Sequence, residues 1–374
     1  MYKNFILPIG LLAGTIIGAG IFALPYAFNQ SGLLLGFFYL IFLTIVMILM
    51  HLMYADIIAR TPKNHRFAGY AKTYLGNAGF YFGILMTIIG AIFSLVAYLV
   101  LSVSFINLIT PDALDNYRVL IFWFLGSITF FLNISKISAF ELFTEMPLFL
   151  VILLMLFWGL TDFNITTQSI FGESGKIFFP FGIILFSLAG RVAIPAVLGY
   201  FRNNGQSAAL AKKPIILGTI LPAIIYALFI VAALSLVDDI SPDVVSSLKG
   251  IFPTWALFAL VLAGAFSLWS TYIVVGRDVK KSLEHDLNIN SFLSTLIVSI
   301  SALLLYFAGF NNFISLIELV GGVFIGLEGI FIILMWKKAS KIESSEHILT
   351  KIHPIIIYLM ALVFASGIIY AVIY

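Results

Sequence analysis

Eleven long apolar runs, separated by short polar segments, divide this chain almost from end to end. They cover approximately residues 5–29, 33–59, 78–109, 119–134, 145–160, 177–201, 214–237, 253–276, 292–310, 313–336 and 354–374. A bilayer core about 30 Å thick is crossed by about 20 helical residues rising 1.5 Å each. Runs of this length therefore predict an all-α, polytopic membrane protein with about 11 transmembrane helices. Composition agrees, because 62% of the 374 residues are hydrophobic and only 10% are charged, against roughly 45–50% apolar content in soluble domains. The first run is long, lacks a small-residue cleavage site and is followed at once by another span, so it is counted as structure rather than a signal peptide.

What is missing narrows the chemistry. The chain has no cysteine, which removes disulfides, thiolate metal sites, iron–sulfur ligation and cysteine nucleophiles. His51, His65, His285, His347 and His353 do not cluster, so neither a metal centre nor a histidine base beside a nucleophile stands out. The formal charge of +3 is small, and no basic arm suited to nucleic acid is present.

Positive residues concentrate in short cytoplasmic loops. Placing the N-terminus inside puts Lys3, Arg60, Lys63, Arg66, Lys72, Lys136, Arg202, Lys212, Lys213, Arg277, Lys280, Lys281, Lys337, Lys338, Lys341 and Lys351 on the inner face. The outer segments keep only Arg118, Lys176 and Lys249, and collect Asp112, Asp115, Asp162, Glu173, Asp238, Asp239 and Asp243. An odd number of spans then puts the C-terminus outside. No connecting segment is long enough for a separate domain, so residues 1–374 read as one membrane domain in a cytoplasmic membrane.

Two spans carry residues that do not suit a continuous helix. Span one holds Gly14, Gly18, Gly20 and Pro25, and span six holds Gly190 and Pro195. A glycine inside a helix costs about 1 kcal/mol, and proline removes a backbone donor. Gly20 to Pro25 and Gly190 to Pro195 have the same spacing, five spans apart. Five is odd, so the second copy crosses in the opposite sense, as in an inverted repeat with two discontinuous helices. Close helix packing is the competing explanation for glycine in one such span. Unpaired peptide groups cost several kcal/mol each in hydrocarbon, so a break persists only beside protein, water or a ligand. Freed N–H groups suit a carboxylate and freed carbonyls suit an ammonium or a cation; an amino acid zwitterion presents both charges.

The stretch GTIIGAGIFALP (14–25), the GYAKTYLG of 69–76, the Gly190 to Pro195 segment, Ser270-Thr271 ahead of Arg277-Asp278, and LVGGVFIGLEG (319–329) together resemble prokaryotic amino acid permeases. The chain is most similar to the aromatic (tryptophan and tyrosine) and the amino acid/auxin permease branches of the amino acid–polyamine–cation superfamily. The resemblance implies a leucine-transporter-like 5+5 inverted repeat with broken helices one and six. The first repeat spans about 5–162, the second about 176–338, and an additional helix about 353–374. It also implies alternating access, with sodium and proton as the alternative coupling ions and no organic cofactor.

By that resemblance, backbone around Gly18, Ala19, Gly20 and Ile21 meets the substrate carboxylate. Carbonyls near Thr15, Ser187, Ala189 and Gly190 meet its ammonium. Ser94 and Tyr98, four residues apart on one helical face, line the pocket. A sodium is held by the carbonyls of Gly14 and Ile17 with Ser267, Ser270 and Thr271, whose i, i+3, i+4 spacing puts them on one face. Ile21 cannot ligate a second ion. Arg191 is the least expected residue, since a guanidinium at membrane depth normally faces a cavity or a partner. It either shapes the pocket, pairs with an acidic residue of another span, or recognises an extra acidic group on the cargo. Glu328 is the candidate proton carrier, with an ion pair to Arg191 as the alternative. The expected cargo is a neutral aromatic or branched amino acid. A transporter-like nutrient sensor is the competing class, while an enzyme is disfavoured.

Overall fold

The computed structural model describes residues 3–62, 65–109, 115–131, 137–159, 170, 172–173, 175–342 and 346–373. Lys63, Asp112, Lys136 and Asp162, and the side chains of Lys3, Asp115, Glu141 and Glu145, lie outside what is described. Among the described residues every regular element is helical. Seven helices are long and apolar enough to cross a membrane, one bent pair forms a further crossing, and Tyr117–Phe131, Met146–Gly159 and Ser291–Phe307 are shorter apolar helices. Together they fall on the eleven apolar runs.

Span one consists of Lys3–Ile16 and Gly20–Ser31, bent by 60° where they meet. Span two is Leu33–Arg60. Span three is the later part of Phe67–Ile109. Spans four and five are Asp115–Ile128 and Ile137–Gly159. Span six comprises Phe179–Ser187, a 3-10 turn Arg191–Ala193 and Ile194–Asn203. Spans seven, eight and nine are Lys212–Leu236, Thr254–Asp286 and Ser291–Phe307. Span ten joins Phe313–Leu319 to Gly326–Ala339 through a π-helical turn, Val320–Ile325. Span eleven is Pro354–Ile373.

The first interruption, residues 17–19, sits just before the Gly20 to Pro25 interval, and the second, residues 188–193, takes in Gly190 and most of the Gly190 to Pro195 interval. Pro195 lies in the first turn of Ile194–Asn203, where its missing N–H is not needed. Pro25 lies inside Gly20–Ser31 without ending it. A second difference concerns the segment after span two. Residues 67–76, read from the sequence as loop, are helical, and Gly76 turns the chain at φ 79° before span three proper, a backbone conformation that glycine adopts without strain.

The two interruptions touch each other. A Cβ on Gly20 would lie 2.6 Å from the Ser187 Cα, and one on Gly190 would lie 2.9 Å from side-chain carbons of Leu12 and Ile16. Only hydrogen at these positions allows such close backbone approach. Around this crossing Leu12, Ile21, Phe22, Leu24, Ile183 and Ile184 are fully buried. Leu34, Phe38, Ile41 and Ile45, spaced by one helical turn along span two, are exposed at 54–65%, a stripe that hydrocarbon covers. Asp56, fully buried near the C-terminal end of span two, accepts from Arg60 Nε (2.8 Å), Trp336 Nε1 (2.8 Å) and the backbone N–H groups of Ile348 (2.7 Å) and Leu349 (3.1 Å). One carboxylate thus ties span two to span ten and to the segment leading into span eleven.

Candidate functional site

A hollow opens where the two interruptions meet. Thr15, Gly18, Ala19 and Gly20 of span one, Ser94 and Tyr98 of span three, Ala189 and Arg191 of span six, Thr271 of span eight and Glu328 of span ten all line it. The rest of the wall is largely apolar, with Ile16, Met50, Met86, Phe186, Val275, Val320, Phe324 and Ile325. Ten of the sequence-derived candidates therefore share one cavity.

Among the described residues, the N–H groups of Gly18, Ala19 and Gly20 make no backbone hydrogen bond. They precede the twelve-residue half-helix Gly20–Ser31, whose N-terminal dipole adds positive potential. The hydroxyls nearby are already committed as donors. Thr15 Oγ1 donates to Leu11 O (2.9 Å), Ser94 Oγ to Gly90 O (2.9 Å) and Thr271 Oγ1 to Ser267 O (3.0 Å). The hydroxyl lone pairs of Ser94 and Thr271 can accept. Tyr98 is buried and tilts against Phe186, ring centroids 6.3 Å apart.

Charge in the wall is internally balanced. Arg191 Nε pairs directly with Glu328 Oε1, and its Nη2 lies 3.5 Å from Asp278 Oδ2. Asp278 Oδ1 also receives Arg66 Nη1 at 3.1 Å. The guanidinium sits over the Phe67 ring, 5.1 Å from its centroid. Four charged side chains, from spans six, eight and ten and from the connecting segment just before Phe67, thus form one chain, each at most a quarter exposed.

At the start of the first interruption, the Ile17 carbonyl lies 3.5 Å from both Ser267 Oγ and Thr271 Oγ1. Ser267 Oγ donates to this carbonyl at that long distance, and the Thr271 hydroxyl has a closer acceptor in Ser267 O at 3.0 Å, so three oxygens converge here through weak bonds. Ser270 is buried on the same helix, and Gly14 lines a separate apolar groove with Ile17, Phe149 and Leu221.

Some candidates fall outside the wall. Ile21, Ser187 and Gly190 lie behind it, Ile21 fully buried and Gly190 packed on Leu12 and Ile16. Glu318 lines a different hollow with Asn311, Ser315 and Tyr370, so the two glutamates of span ten serve separate spaces. On the other side a vestibule bordered by Arg66, Arg202, Arg277, Asp278, Lys281 and Asp286 reaches Thr15 and Val192, which also line the central hollow. Asp278 and His51 went unrecognised in the sequence. Asp278 is one residue from an arginine already assigned to topology, and His51, a lone polar residue inside span two, was grouped with histidines near span ends. Among the described residues no cluster of three His, Asp or Glu suits a metal ion.

The profile of the tryptophan/tyrosine permease family matches residues 1–241. No curated protein sequence shows a significant match. Among solved structures, MhsT in complex with L-phenylalanine superposes with a TM-score of 0.63 at 14% identity, covering 98% of this chain and 97% of that one. Mhp1, a nucleobase-cation-symport-1 family transporter with bromovinylhydantoin bound in a closed conformation, gives 0.65 at 16% identity over 99% and 90%. Its inward-facing form gives 0.64 at 14% identity over 98% and 88%. At these identities the likeness is one of fold, the leucine-transporter-like 5+5 inverted repeat with an added helix.

Proposed function

Because this chain belongs to the tryptophan/tyrosine permease family and is a multi-pass secondary transporter rather than an enzyme, we propose that it moves neutral aromatic or branched amino acids by alternating access. In this reading residues 5–162 and 176–338 are the two repeats, the membrane is the cytoplasmic one and the N-terminus is inside.

The single observation that carries the cargo assignment is the trio of N–H groups at Gly18, Ala19 and Gly20 that make no backbone hydrogen bond, opening into a hollow whose wall is largely apolar and whose charges are paired with one another. A carboxylate satisfies those donors at the half-helix N-terminus. The lone pairs of Ser94 and the carbonyl of Ala189 are suitable acceptors for an ammonium. The apolar wall around Met50, Met86, Phe186 and Phe324 suits a side chain without charge. Arg191 does not favour an acidic cargo, since Glu328 and Asp278 already neutralise it and an incoming carboxylate would have to displace one of them.

For coupling, the facing oxygens of Ile17, Ser267 and Thr271 support one sodium, as the hard oxygen ligands of such a cation require. Glu328 is the competing proton carrier, and its pairing with Arg191 makes it a structural partner first. Release toward the inner vestibule in this scheme requires the Arg191–Asp278 contact to open, since that contact lies between the hollow and the vestibule.

Counterflow of labelled tryptophan, leucine and glutamate into proteoliposomes, with and without sodium or a pH gradient, tests the assignment. Tryptophan or leucine exchange stimulated by sodium is expected. Exchange of glutamate alone would overturn the neutral-cargo reading.

A further inference from the structure

We infer that His51 and Tyr226 are positioning residues that brace the two backbone interruptions against each other from behind the hollow, so that both move as one body. The inference rests on the reading that the interruptions form the transport site.

Neither residue borders the hollow, and both are fully buried. Tyr226, in span seven, directs its hydroxyl at two carbonyls at once, Ile16 O at 2.9 Å and Ser187 O at 2.8 Å. Ile16 is the last residue of the first half of span one, and Ser187 the last residue of the first half of span six. Carbonyls at helix C-termini carry partial negative charge and lack intrahelical donors. Two such ends pointed at one place repel unless a donor lies between them. The Tyr226 hydroxyl has one proton, so the two spans share it, and a shift of either carbonyl alters the bond available to the other.

His51 works on the other polarity of freed backbone. Its Nε2 accepts the Gly190 N–H at 3.2 Å, and its Nδ1 lies 3.1 Å from Thr219 Oγ1. Thr219 Oγ1 spends its own proton on Ile215 O at 2.9 Å. The hydroxyl therefore accepts from Nδ1–H, which leaves Nε2 unprotonated and free to receive Gly190 N–H. The three bonds determine one another, and the ring is the neutral Nδ1–H tautomer. Gly190 immediately precedes Arg191, so fixing its amide also fixes where the guanidinium starts its reach toward Glu328 and Asp278.

The supports cross between the repeats. Span two, from the first repeat, holds the interruption of span six; span seven, from the second, holds the end of span one. His51 and Thr219 also bond spans two and seven to each other. With Gly20 seated against Ser187, the interruptions have no independent freedom.

The experiment compares wild type with Tyr226→Phe, His51→Leu, His51→Gln, Thr219→Val and Thr219→Ser. Two readouts are used: amide hydrogen exchange over residues 13–20 and 183–193 without solute, and half-saturation against maximal rate in tryptophan counterflow. Tyr226→Phe, His51→Leu and Thr219→Val are expected to speed exchange at the interruptions and raise half-saturation about tenfold, the weight of one buried hydrogen bond, with a smaller effect on maximal rate. Gln at 51, which keeps a donor and an acceptor, and Ser at 219 are expected to restore most of the loss. Thr219→Val is nearly isosteric and keeps the test open where a ring substitution fails to fold. Wild-type exchange and half-saturation in Thr219→Val and Tyr226→Phe would overturn the bracing. Failure of the wild type to exchange any amino acid would instead count against the cargo reading, because the hydrogen-exchange result does not depend on it.

Discussion

Arg191 and Glu328, from spans six and ten, form a direct ion pair in the wall of the central hollow, and Asp278 of span eight meets the same guanidinium at 3.5 Å. The hollow therefore presents a balanced pair of charges to its contents, the arrangement that the sequence offered as the ion-pair alternative for Arg191 and Glu328.

The two partners should not be equivalent. Arg191→Gln strands Glu328 and weakens the hold on Asp278, whereas Glu328→Gln leaves Arg191 its contact with Asp278. Removing one partner of a buried pair costs about 3–5 kcal/mol, so Arg191→Gln is expected near that figure and Glu328→Gln well below it. Thermal unfolding of both singles and the double in detergent checks this. The double should cost less than the sum of the singles by about 1–3 kcal/mol.

Gly20→Ala places a methyl against the Ser187 backbone. Overpacking of this kind costs about 1–3 kcal/mol, and at a backbone crossing the strain falls on the Gly18–Gly20 donors. Counterflow should drop by at least about tenfold while the protein still inserts. Gly199→Ala, whose Cβ meets nothing within 4 Å, is the matched control and should transport normally.

Sodium dependence should respond to the hydroxyls facing Ile17. Ser267→Ala and Thr271→Ala each remove an oxygen from the facing set, and the sodium concentration for half-maximal counterflow should rise about tenfold for each, the weight of one oxygen ligand on a charge. Unaltered sodium response in both would remove this site from the coupling scheme.

Asp56→Ala should be the most damaging change outside the hollow. Four donors, including the Arg60 guanidinium, lose their acceptor in a buried setting. The expected loss is about 3–5 kcal/mol, read as a lowered unfolding midpoint and faster proteolysis near Ile348.

The fold was legible because bilayer thickness sets span length and because glycine and proline mark where a helix fails; both signals lie in local sequence. The first break falls just before Gly20 and the second takes in Gly190, while neither proline ends a helix: Pro195 sits in a first turn, where it is tolerated, and Pro25 inside Gly20–Ser31. Thr15 and Gly18–Gly20 were legible through the resemblance to amino acid permeases, and Ser94 and Tyr98 through that resemblance together with their four-residue spacing. Asp278, His51 and Tyr226 were not, because their roles depend on which spans meet at one depth. Ile21 and Gly190 show the reverse: neighbours of wall residues in sequence, they turn away from the hollow once the helix resumes or the backbone packs.

Among the described residues, the hollow around Glu318 and the vestibule around Asp278 have no wall residue in common, and only the latter shares Thr15 and Val192 with the central cavity. An occupant of the central cavity therefore touches wall residues of the Asp278 vestibule and none of the Glu318 hollow, so the two ends of the protein are not equivalent to it.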